Sequence, residues 1–251
     1  MMTDLILTVR PAPDGEFDVA ALERRGVAAM AAPVMKAVYL AKPSLPAAGS
    51  VGGLIFTSRH AIAAFLGSFD GALPPEWAGL PVFAVGRASG RVARRAGFSD
   101  VSIGSGGGAG LAPLILAGLN ADAAPLLWPC ALHRGFDMKA ALAPQRQVMP
   151  LPAYEMKPVS EFDKAARGAL ADGHVKAVIL MSARSAGLFR DLMVRHDLDG
   201  RIGHMTLIAG SKAIAAAAGS GWREELVARR STRARLLAIA ALFYHRRMTG
   251  R

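Results

Sequence analysis

The chain has 251 residues, of which 52% are apolar, and it can therefore bury one large core or two smaller ones. Its single cysteine, Cys130, excludes an intrachain disulfide, a cysteine-based metal cluster and a CxxC redox site, and it fits a reducing compartment. The formal net charge of +11 is compatible with nucleic acid, an anionic membrane surface or an anionic small molecule as the partner.

In chain order, short apolar runs alternate with Ala- and Arg-rich stretches, which is typical of doubly wound α/β sheets with mainly parallel strands. Strands are expected at Leu5–Val9, Val27–Ala31, Gly53–Thr57, Pro81–Val85, Val101–Ile103, Pro125–Trp128, Gln147–Leu151, Ala177–Met181, Met205–Ala209 and Glu225–Ala228. Helices are expected at Phe17–Arg25, Ser58–Leu66, Ala88–Ala96, Leu111–Leu119, Phe136–Ala143, Glu161–Ala171, Ala183–Val194, Lys212–Ala218 and Thr232–Tyr244. Ten strands are too many for one open sheet of this length, so the sequence predicts two five-stranded units.

An internal duplication supports this division. A strand that leads through Ser58 directly into a helix reappears 124 residues later around Ser182. The next strand end, at Gly86, matches Gly210 with the same offset. Two strand–turn–helix segments that share one offset indicate a chain built from repeated halves.

Two proline-containing stretches, 33–46 and 150–158, mark where the chain would cross between the halves. We expect a discontinuous first domain of residues 1–36 plus 156–251 and a continuous second domain of residues 41–151. Residues 37–40 and 152–155 are expected to be two paired linker strands. Close pairing of the two crossings would make a hinge.

Several features argue against nucleic acid and membrane partners. Basic residues occur as dispersed pairs, and only three Trp and three Tyr are available to stack on bases. The leading apolar run is short and lacks a basic segment before it, so we expect no secretory signal, no spanning helix and a cytoplasmic protein. The basic segment 229–247 could lie on a membrane, but we interpret it as an amphipathic helix that covers the first domain.

Ligands of open parallel sheets bind at the carboxyl ends of the strands, where the following helices present free N–H groups. Ser58, Gly86, Ser182 and Gly210 follow such strand ends, and the two serines suit helix N-caps. Helix dipoles at these positions attract anions such as the carboxylates of a polyacid. The alternative is that the serines only cap helices and the glycines only form tight turns.

Motifs of several common enzyme classes are absent. The sequence contains no GxxxxGK[ST], HExxH or GxSxG and no pair of His at metal-ligand spacing, so hydrolase and metalloenzyme interpretations lose their usual support. Residues 104–109 fit GxGxxA, but they lie late in their unit and no acidic residue ends a following strand. We interpret them as a flexible loop, with a dinucleotide site as the alternative.

A series of short motifs in a fixed order carries a resemblance to a known family. They are Arg10-Pro11 after the first strand, Phe56-Thr57-Ser58 before a helix, Ala84-Val85-Gly86 with Ser89 and Gly97, Tyr154 after the second crossing, Ser182, and Ala209-Gly210 with Gly219. In this order they resemble the uroporphyrinogen-III synthases, over almost the whole chain.

The resemblance implies two flavodoxin-like lobes joined by a two-stranded linker, with the linear tetrapyrrole hydroxymethylbilane bound between them. The implied reaction is that of a cyclising hydro-lyase in tetrapyrrole and heme biosynthesis. The hydroxyl leaves, a spirocyclic pyrrolenine forms, and the macrocycle closes to uroporphyrinogen III with the last ring inverted. No metal or organic cofactor is implied, and we expect a monomer.

By position, Tyr154 matches the family tyrosine that is placed to assist departure of the hydroxyl as a general acid; the alternative is a packing role. The residues expected to bind the substrate are Arg10, Thr57, Ser58, Gly86, Ser89, Ser182, Gly210 and Ser211. The chain departs from the family pattern at Ala213, which lacks the hydroxyl of Ser89, and at 129–131, where Pro-Cys-Ala replaces a Gly-containing turn.

Two other functions stay open at this point. A non-catalytic two-lobed receptor for an anionic metabolite would bind its ligand without turnover. Nucleic-acid association driven by the positive charge would depend steeply on salt.

Overall fold

The computed structural model describes residues 4–41, 44–118 and 123–250. The chain forms two compact units. The first unit contains residues 1–36 and 157–251, and the second unit contains residues 37–156.

The elements of the described residues follow the alternation expected from the sequence. In chain order they are β1 (Leu5–Thr8), α1 (Asp14–Glu23), β2 (Ala29–Ala31), β3 (Met35–Tyr39), β4 (Gly53–Phe56), α2 (Arg59–Gly67), α3 (Pro75–Ala78), β5 (Val82–Ala84), α4 (Arg87–Arg95), β6 (Val101–Ile103), α5 (Gly107–Gly118), β7 (Leu126–Ala131), α6 (Met138–Leu142), β8 (Val148–Pro158), α7 (Lys164–Ala171), β9 (Val175–Leu180), α8 (Ala183–Arg195), β10 (Thr206–Ala209), α9 (Lys212–Ala218), β11 (Glu224–Val227) and α10 (Arg233–Thr249).

The first unit is built on a five-stranded sheet in the order β11-β10-β9-β1-β2, in which every adjacent pair is parallel. The central strands consist almost entirely of buried residues, as is typical of strands covered by helices on both faces. On one face, Leu22 of α1 and Leu236 and Leu237 of α10 pack in a core cluster with Ile6 and Ile179 of the sheet. The C-terminal helix therefore covers this unit, as expected.

The second unit contains a six-stranded sheet in the order β3-β8-β7-β4-β5-β6, and strands β4 to β8 are parallel. Successive side chains of a strand point to opposite faces of the sheet. Accordingly, Leu54 and Phe56 of β4 join one core cluster and Ile55 joins another. Apolar side chains are thus buried on both faces of the sheet.

The expected α/β class with parallel sheets is confirmed, and each of the ten predicted strands overlaps an observed one. The prediction of five strands in each unit is wrong for the second, because β3 pairs beside β8 as a sixth strand. β8 also joins the predicted strand 147–151 and the predicted linker 152–155 into one strand of 11 residues.

Helix starts differ more from the predictions. α1 begins at Asp14 and not at Phe17, and α5 begins at Gly107 and not at Leu111. The predicted end of that helix, residue 119, lies outside the described residues. The sequence analysis also missed α3, whose Pro75 occupies a first-turn position that suits proline.

The duplicated segments occupy matching places in their sheets. β4-β5-β6 stand side by side in the second unit, and β9-β10-β11 stand side by side in the first. The first sheet continues from β9 with β1 and β2, and the second continues from β4 with β7, β8 and the sixth strand β3. Over five strands the two sheets therefore share one spatial layout with different chain connections.

A helix that crosses a lipid bilayer needs about 20 consecutive, mainly apolar residues. Over 4–41, 44–118 and 123–250, no helix combines the length and the apolar character needed to cross one.

Candidate active site

Ser58 lies just after the carboxyl end of β4 and caps α2. Its Oγ accepts a hydrogen bond from the backbone N–H of Ala61, with an N–O distance of 3.1 Å. The same Oγ is hydrogen-bonded to the hydroxyl of Tyr154, with an O–O distance of 2.8 Å. Ser58, expected to bind substrate, is thus in direct contact with Tyr154, expected to donate a proton, at the N-terminus of α2.

Tyr154 belongs to β8, and only 5% of its surface is exposed. Burial raises the pKa of its phenol; the hydrogen bond with Ser58 opposes this effect, whereas Cys130 and Tyr39 add to it. Tyr154 is therefore protonated at neutral pH, which is the form that a general acid requires.

Thr57, next to Ser58, accepts a hydrogen bond on Oγ1 from Nε1 of Trp128, at 3.4 Å. Trp128 is a buried residue of β7, which neighbours β4 in the sheet. The Thr57 side chain is thus tied to the core at the carboxyl ends of two adjacent strands.

The departure from the family pattern at residues 129–131 lies within β7 and does not form a turn. Arg134, just beyond the strand, donates from Nη1 to Sγ of Cys130 at 3.0 Å, and its guanidinium lies 5.1 Å from the ring centroid of Trp128. Burial raises the pKa of the Cys130 thiol, while the hydrogen bond from Arg134 opposes this effect. Two buried side chains of β7, Cys130 and Trp128, therefore hold Arg134 close to the carboxyl end of that strand.

Gly86 caps α4 with extended backbone and no side-chain hydrogen bond, and Ser89 of the same helix is 5% exposed. Gly86 and the exposed Arg87 line a cavity of about 650 Å³ with residues 103–106. Residues 104–106 of the Gly-rich segment form the turn into α5, in which Gly106 has a φ of 109°. Residues 107–109 were expected in a flexible loop, but they form the first turn of α5. Two helix N-termini and one cationic side chain therefore border this cavity.

In the first unit, Ser182 is the structural counterpart of Ser58. It caps α8, and its Oγ accepts the backbone N–H of Ser185 at 3.0 Å and donates to Ser185 Oγ at 2.8 Å. No tyrosine of the described residues is hydrogen-bonded to Ser182, so the two halves of the repeat share the cap but differ in the Tyr154 contact.

We expect Ser182→Ala to lower the free energy of unfolding by about 1 kcal/mol, because it removes the N-cap of α8. Ser182→Thr retains a hydroxyl that accepts the same N–H and should restore most of the loss. Urea unfolding of the three proteins measures the difference, and equal midpoints for all three would contradict the role of the cap.

At the next strand end, the two copies of the repeat differ. Gly86 caps α4, whereas α9 is capped by Ser211, whose Oγ accepts the N–H of Ile214 at 3.3 Å. Gly210 stands one residue before the cap, and a Cβ there would lie 2.5 Å from Oγ of Ser231. Glycine at 210 therefore allows the chain before α10 to approach the end of β10.

Arg10, expected to bind substrate, forms ion pairs with two carboxylates. Its guanidinium contacts Asp14 and lies 3.3 Å from Oδ1 of Asp18, a residue with no exposed surface. Asp18 also accepts a hydrogen bond from the Thr8 hydroxyl at 3.3 Å and pairs with Arg233 of α10. Burial lowers the pKa of Arg10, and the charge and hydrogen bond of Asp18 oppose this effect. The charge of Arg10 is thus matched within the protein.

Sequence reasoning missed Asp18 and Arg233 in this cluster, and His60 and Tyr39 beside Tyr154. Arg233 and Asp18 are 215 residues apart in the chain, and only the fold brings them together. Two features of the sequence could have pointed to the residues near Tyr154. Tyr39 lies in a stretch bounded by prolines, and His60 follows Ser58 by two positions. Among the described residues, no group of three or more His, Cys, Asp or Glu is placed to hold a metal ion.

A comparison with protein-family models identifies the relatives of the chain. The model of uroporphyrinogen-III synthase HemD matches residues 17–238, which is most of the chain. The chain belongs to the uroporphyrinogen-III synthase family. The resemblance carried by the order of motifs is confirmed, and so is the synthase function of tetrapyrrole and heme biosynthesis that it implies. A non-catalytic receptor is not favoured.

Two solved uroporphyrinogen-III synthase structures share the fold. A mutant form of the enzyme from Thermus thermophilus is 18% identical with a TM-score of 0.55, and the match covers 98% of this chain and 99% of that chain. The enzyme from Helicobacter pylori is 15% identical with a TM-score of 0.58, covering 97% of this chain and 100% of that chain. At these identities the likeness shows the α/β fold with parallel sheets. A search of curated proteins finds no match.

Proposed function

We propose that this uroporphyrinogen-III synthase is a cyclising hydro-lyase in which Tyr154 acts as the general acid on hydroxymethylbilane. The observation that carries the proposal is the 2.8 Å hydrogen bond between the hydroxyl of Tyr154 and Oγ of Ser58 at the start of α2. A buried, protonated phenol held at a helix N-terminus can give up its proton and then be stabilised as the anion.

The proposed reaction starts at the hydroxymethyl group. Its C–O bond breaks, the electron pair stays with oxygen, and the proton of Tyr154 completes a water molecule. The resulting azafulvene-like cation is attacked by the substituted α-carbon of the last pyrrole ring, which gives a spirocyclic pyrrolenine. The bond from that carbon to the methylene of the preceding ring then breaks, and the methylene bonds to the other α-carbon of the last ring, which closes the macrocycle with that ring inverted. The proton lost from carbon at closure returns to the Tyr154 phenolate, so that one water is released for each substrate.

The Ser58 hydroxyl has two roles in this step. It positions the phenol before proton transfer, and it donates a hydrogen bond to the phenolate afterwards. A hydrogen bond that stabilises the phenolate lowers the pKa of Tyr154, which is the direction of the effect of Ser58. The hydroxyl of the bilane leaves readily because the pyrrole stabilises the cation. The main task of the protein is therefore to hold the substrate in the geometry that gives ring inversion.

For the substrate carboxylates, we propose the strand-end residues as the binding set. Helix N-termini follow Ser58, Gly86, Ser182 and Ser211, and each offers free backbone N–H groups. Each such contact is worth about 0.3–1 kcal/mol at an exposed site, so several are needed to hold a polyacid. Thr57, Ser89 and Gly210 stand beside these caps, whereas the paired charge of Arg10 favours a structural role for that residue.

We further propose that both units are flavodoxin-like lobes and that residues 37–40 and 152–155 link them. The strand order of the first unit, numbered within that unit, is 2-1-3-4-5, the order of the flavodoxin type. The compact units divide between residues 36 and 37 and between residues 156 and 157, which supports domains of 1–36 plus 156–251 and 41–151. A monomeric state, a cytoplasmic location and the lack of a cofactor or nucleic-acid partner remain predictions.

Turnover distinguishes this enzyme from a binding protein. Freshly generated hydroxymethylbilane is supplied in large excess over the purified protein, and the consumption of bilane is followed against a blank without protein. We expect each chain to convert many equivalents of bilane to uroporphyrinogen. Consumption at the rate of the blank, together with saturable binding, would support the receptor instead.

A further inference from the structure

His60 lies between two tyrosines that come from different strands. As the second residue of α2, it follows the Ser58 cap by two positions. Its Nδ1 is 3.3 Å from the hydroxyl of Tyr39 in β3, and its ring centroid is 5.6 Å from that of Tyr154 in β8. All four residues belong to the second unit.

The contacts on Tyr154 restrain two different parts of its side chain. Ser58 is hydrogen-bonded to the phenol oxygen, and His60 lies against the ring with an angle of 40° between the two planes. The hydrogen bond fixes the oxygen, and the core of the second unit packs around the ring. His60 is an aromatic neighbour of that ring, and its contact adds to the restraint.

Tyr39 in turn restrains His60. Burial lowers the pKa of His60, and the charge of Arg59 acts in the same direction, so the imidazole is neutral at pH 7. Tyr39 is half exposed, and its partial burial raises the pKa of its hydroxyl, which therefore keeps its proton. The neutral His60 imidazole can accept a hydrogen bond on Nδ1 from the Tyr39 hydroxyl while Nε2 carries the ring hydrogen. In this tautomer the contact with Tyr39 sets the orientation of the His60 ring.

We propose that His60 is a positioning residue, which Tyr39 orients and which holds the ring of Tyr154 so that its hydroxyl stays on Ser58. The inference rests on the proposed general-acid role of Tyr154. His60 acts through Tyr154 and is given no contact with the substrate. Acids displaced by about 1 Å can lose roughly 100-fold in rate, so loss of the His60 contact should have a measurable effect on kcat.

The test is a double-mutant cycle between His60→Ala and Tyr154→Phe, with kcat and KM measured for each protein. In the wild-type background, we expect His60→Ala to lower kcat about tenfold and to leave KM within about twofold. In the Tyr154→Phe background, the same substitution should have no further effect on kcat, because the hydroxyl that His60 positions is already missing.

His60→Phe is the rescue variant, because it keeps an aromatic ring against Tyr154. Its kcat should return to within about threefold of the wild-type value. An unchanged kcat in His60→Ala, an equal loss in both backgrounds, or a His60→Phe variant as slow as His60→Ala would each overturn the inference. If Tyr154→Phe alone kept the full rate, the general-acid role itself would fail, and with it the inference, so the two failures are told apart by that single variant.

Discussion

Tyr154→Phe is expected to lower kcat about 100-fold and to change KM by less than about threefold. General acid–base groups contribute roughly 10²- to 10⁴-fold, and the low end applies here because the bilane hydroxyl leaves readily. The substitution removes one oxygen from a residue that is otherwise packed in the core of the second unit. The measurement is the initial rate of uroporphyrinogen formation over a range of bilane concentrations.

Tyr244→Phe is the matched control, since Tyr244 is a buried tyrosine in the core of the first unit. Its kcat should equal that of the wild type. Urea unfolding should show that both variants remain folded, because the hydrogen bond to Ser58 that Tyr154→Phe loses is worth about 1 kcal/mol. A Tyr154→Phe variant with the rate of the control would remove Tyr154 from the mechanism.

The direction of the Tyr154 pKa shift predicts the pH dependence of the rate. A general acid works in its protonated form, and burial raises the pKa of this phenol above its ordinary value of 10.0. The phenol therefore stays protonated through neutral and mildly alkaline pH, and up to a higher pH than an exposed tyrosine. We expect kcat to show no loss from Tyr154 between pH 7 and 9, and a decline in that range that is absent in Tyr154→Phe would contradict the raised pKa.

Asp18→Asn is expected to lower the free energy of unfolding by about 2–3 kcal/mol. Among the residues that form ion pairs in the first unit, Asp18 should be the most sensitive to substitution. Removal of one partner of a buried ion pair costs about 3–5 kcal/mol, and the partial exposure of Arg10 and Arg233 reduces that figure. The asparagine amide would also direct hydrogens at guanidinium groups that can only donate. The change in the free energy of unfolding is measured from the shift of the urea midpoint, provided that the dependence of that free energy on urea concentration is unchanged.

Asp191→Asn is the control for this change, because Asp191 is an exposed aspartate of α8. It should shift the free energy of unfolding by less than about 0.5 kcal/mol. Equal midpoints for the two variants would show that Asp18 does not hold β1, α1 and α10 together.

Strand positions could be predicted well because buried parallel strands leave a plain signal. The run Gly53–Phe56 is apolar throughout, is followed after Thr57 by a capping serine, and is repeated at Ala177–Leu180 within β9. The start of α5 could not be predicted in the same way, because glycines are poor helix formers and the helix nevertheless begins at Gly107. β3 was expected as one of two paired linker strands, and it does lie beside β8, but the prediction did not include that this pair continues the sheet of the second unit.

The candidate site shows the same limit. Ser58 could be assigned as a cap from its place between strand and helix, but its bond to Tyr154 joins residues 96 positions apart. Arg10 pairs with Asp14 and Asp18 of α1, so an arginine that looked available for substrate is matched by charge within the protein. Asp18 also pairs with Arg233 of α10, which lies 215 positions away in the chain. Long-range contacts of this kind arise from packing and leave no pattern in the local sequence.

The central claim is that the chain closes hydroxymethylbilane with inversion of the last ring. The most direct measurement is the ratio of type III to type I porphyrin, separated after oxidation, at increasing protein concentration and fixed bilane. Spontaneous end-to-end closure gives type I, and an enzyme that competes with it raises the type III fraction until it dominates. A product that stays type I at every protein concentration would contradict the claim.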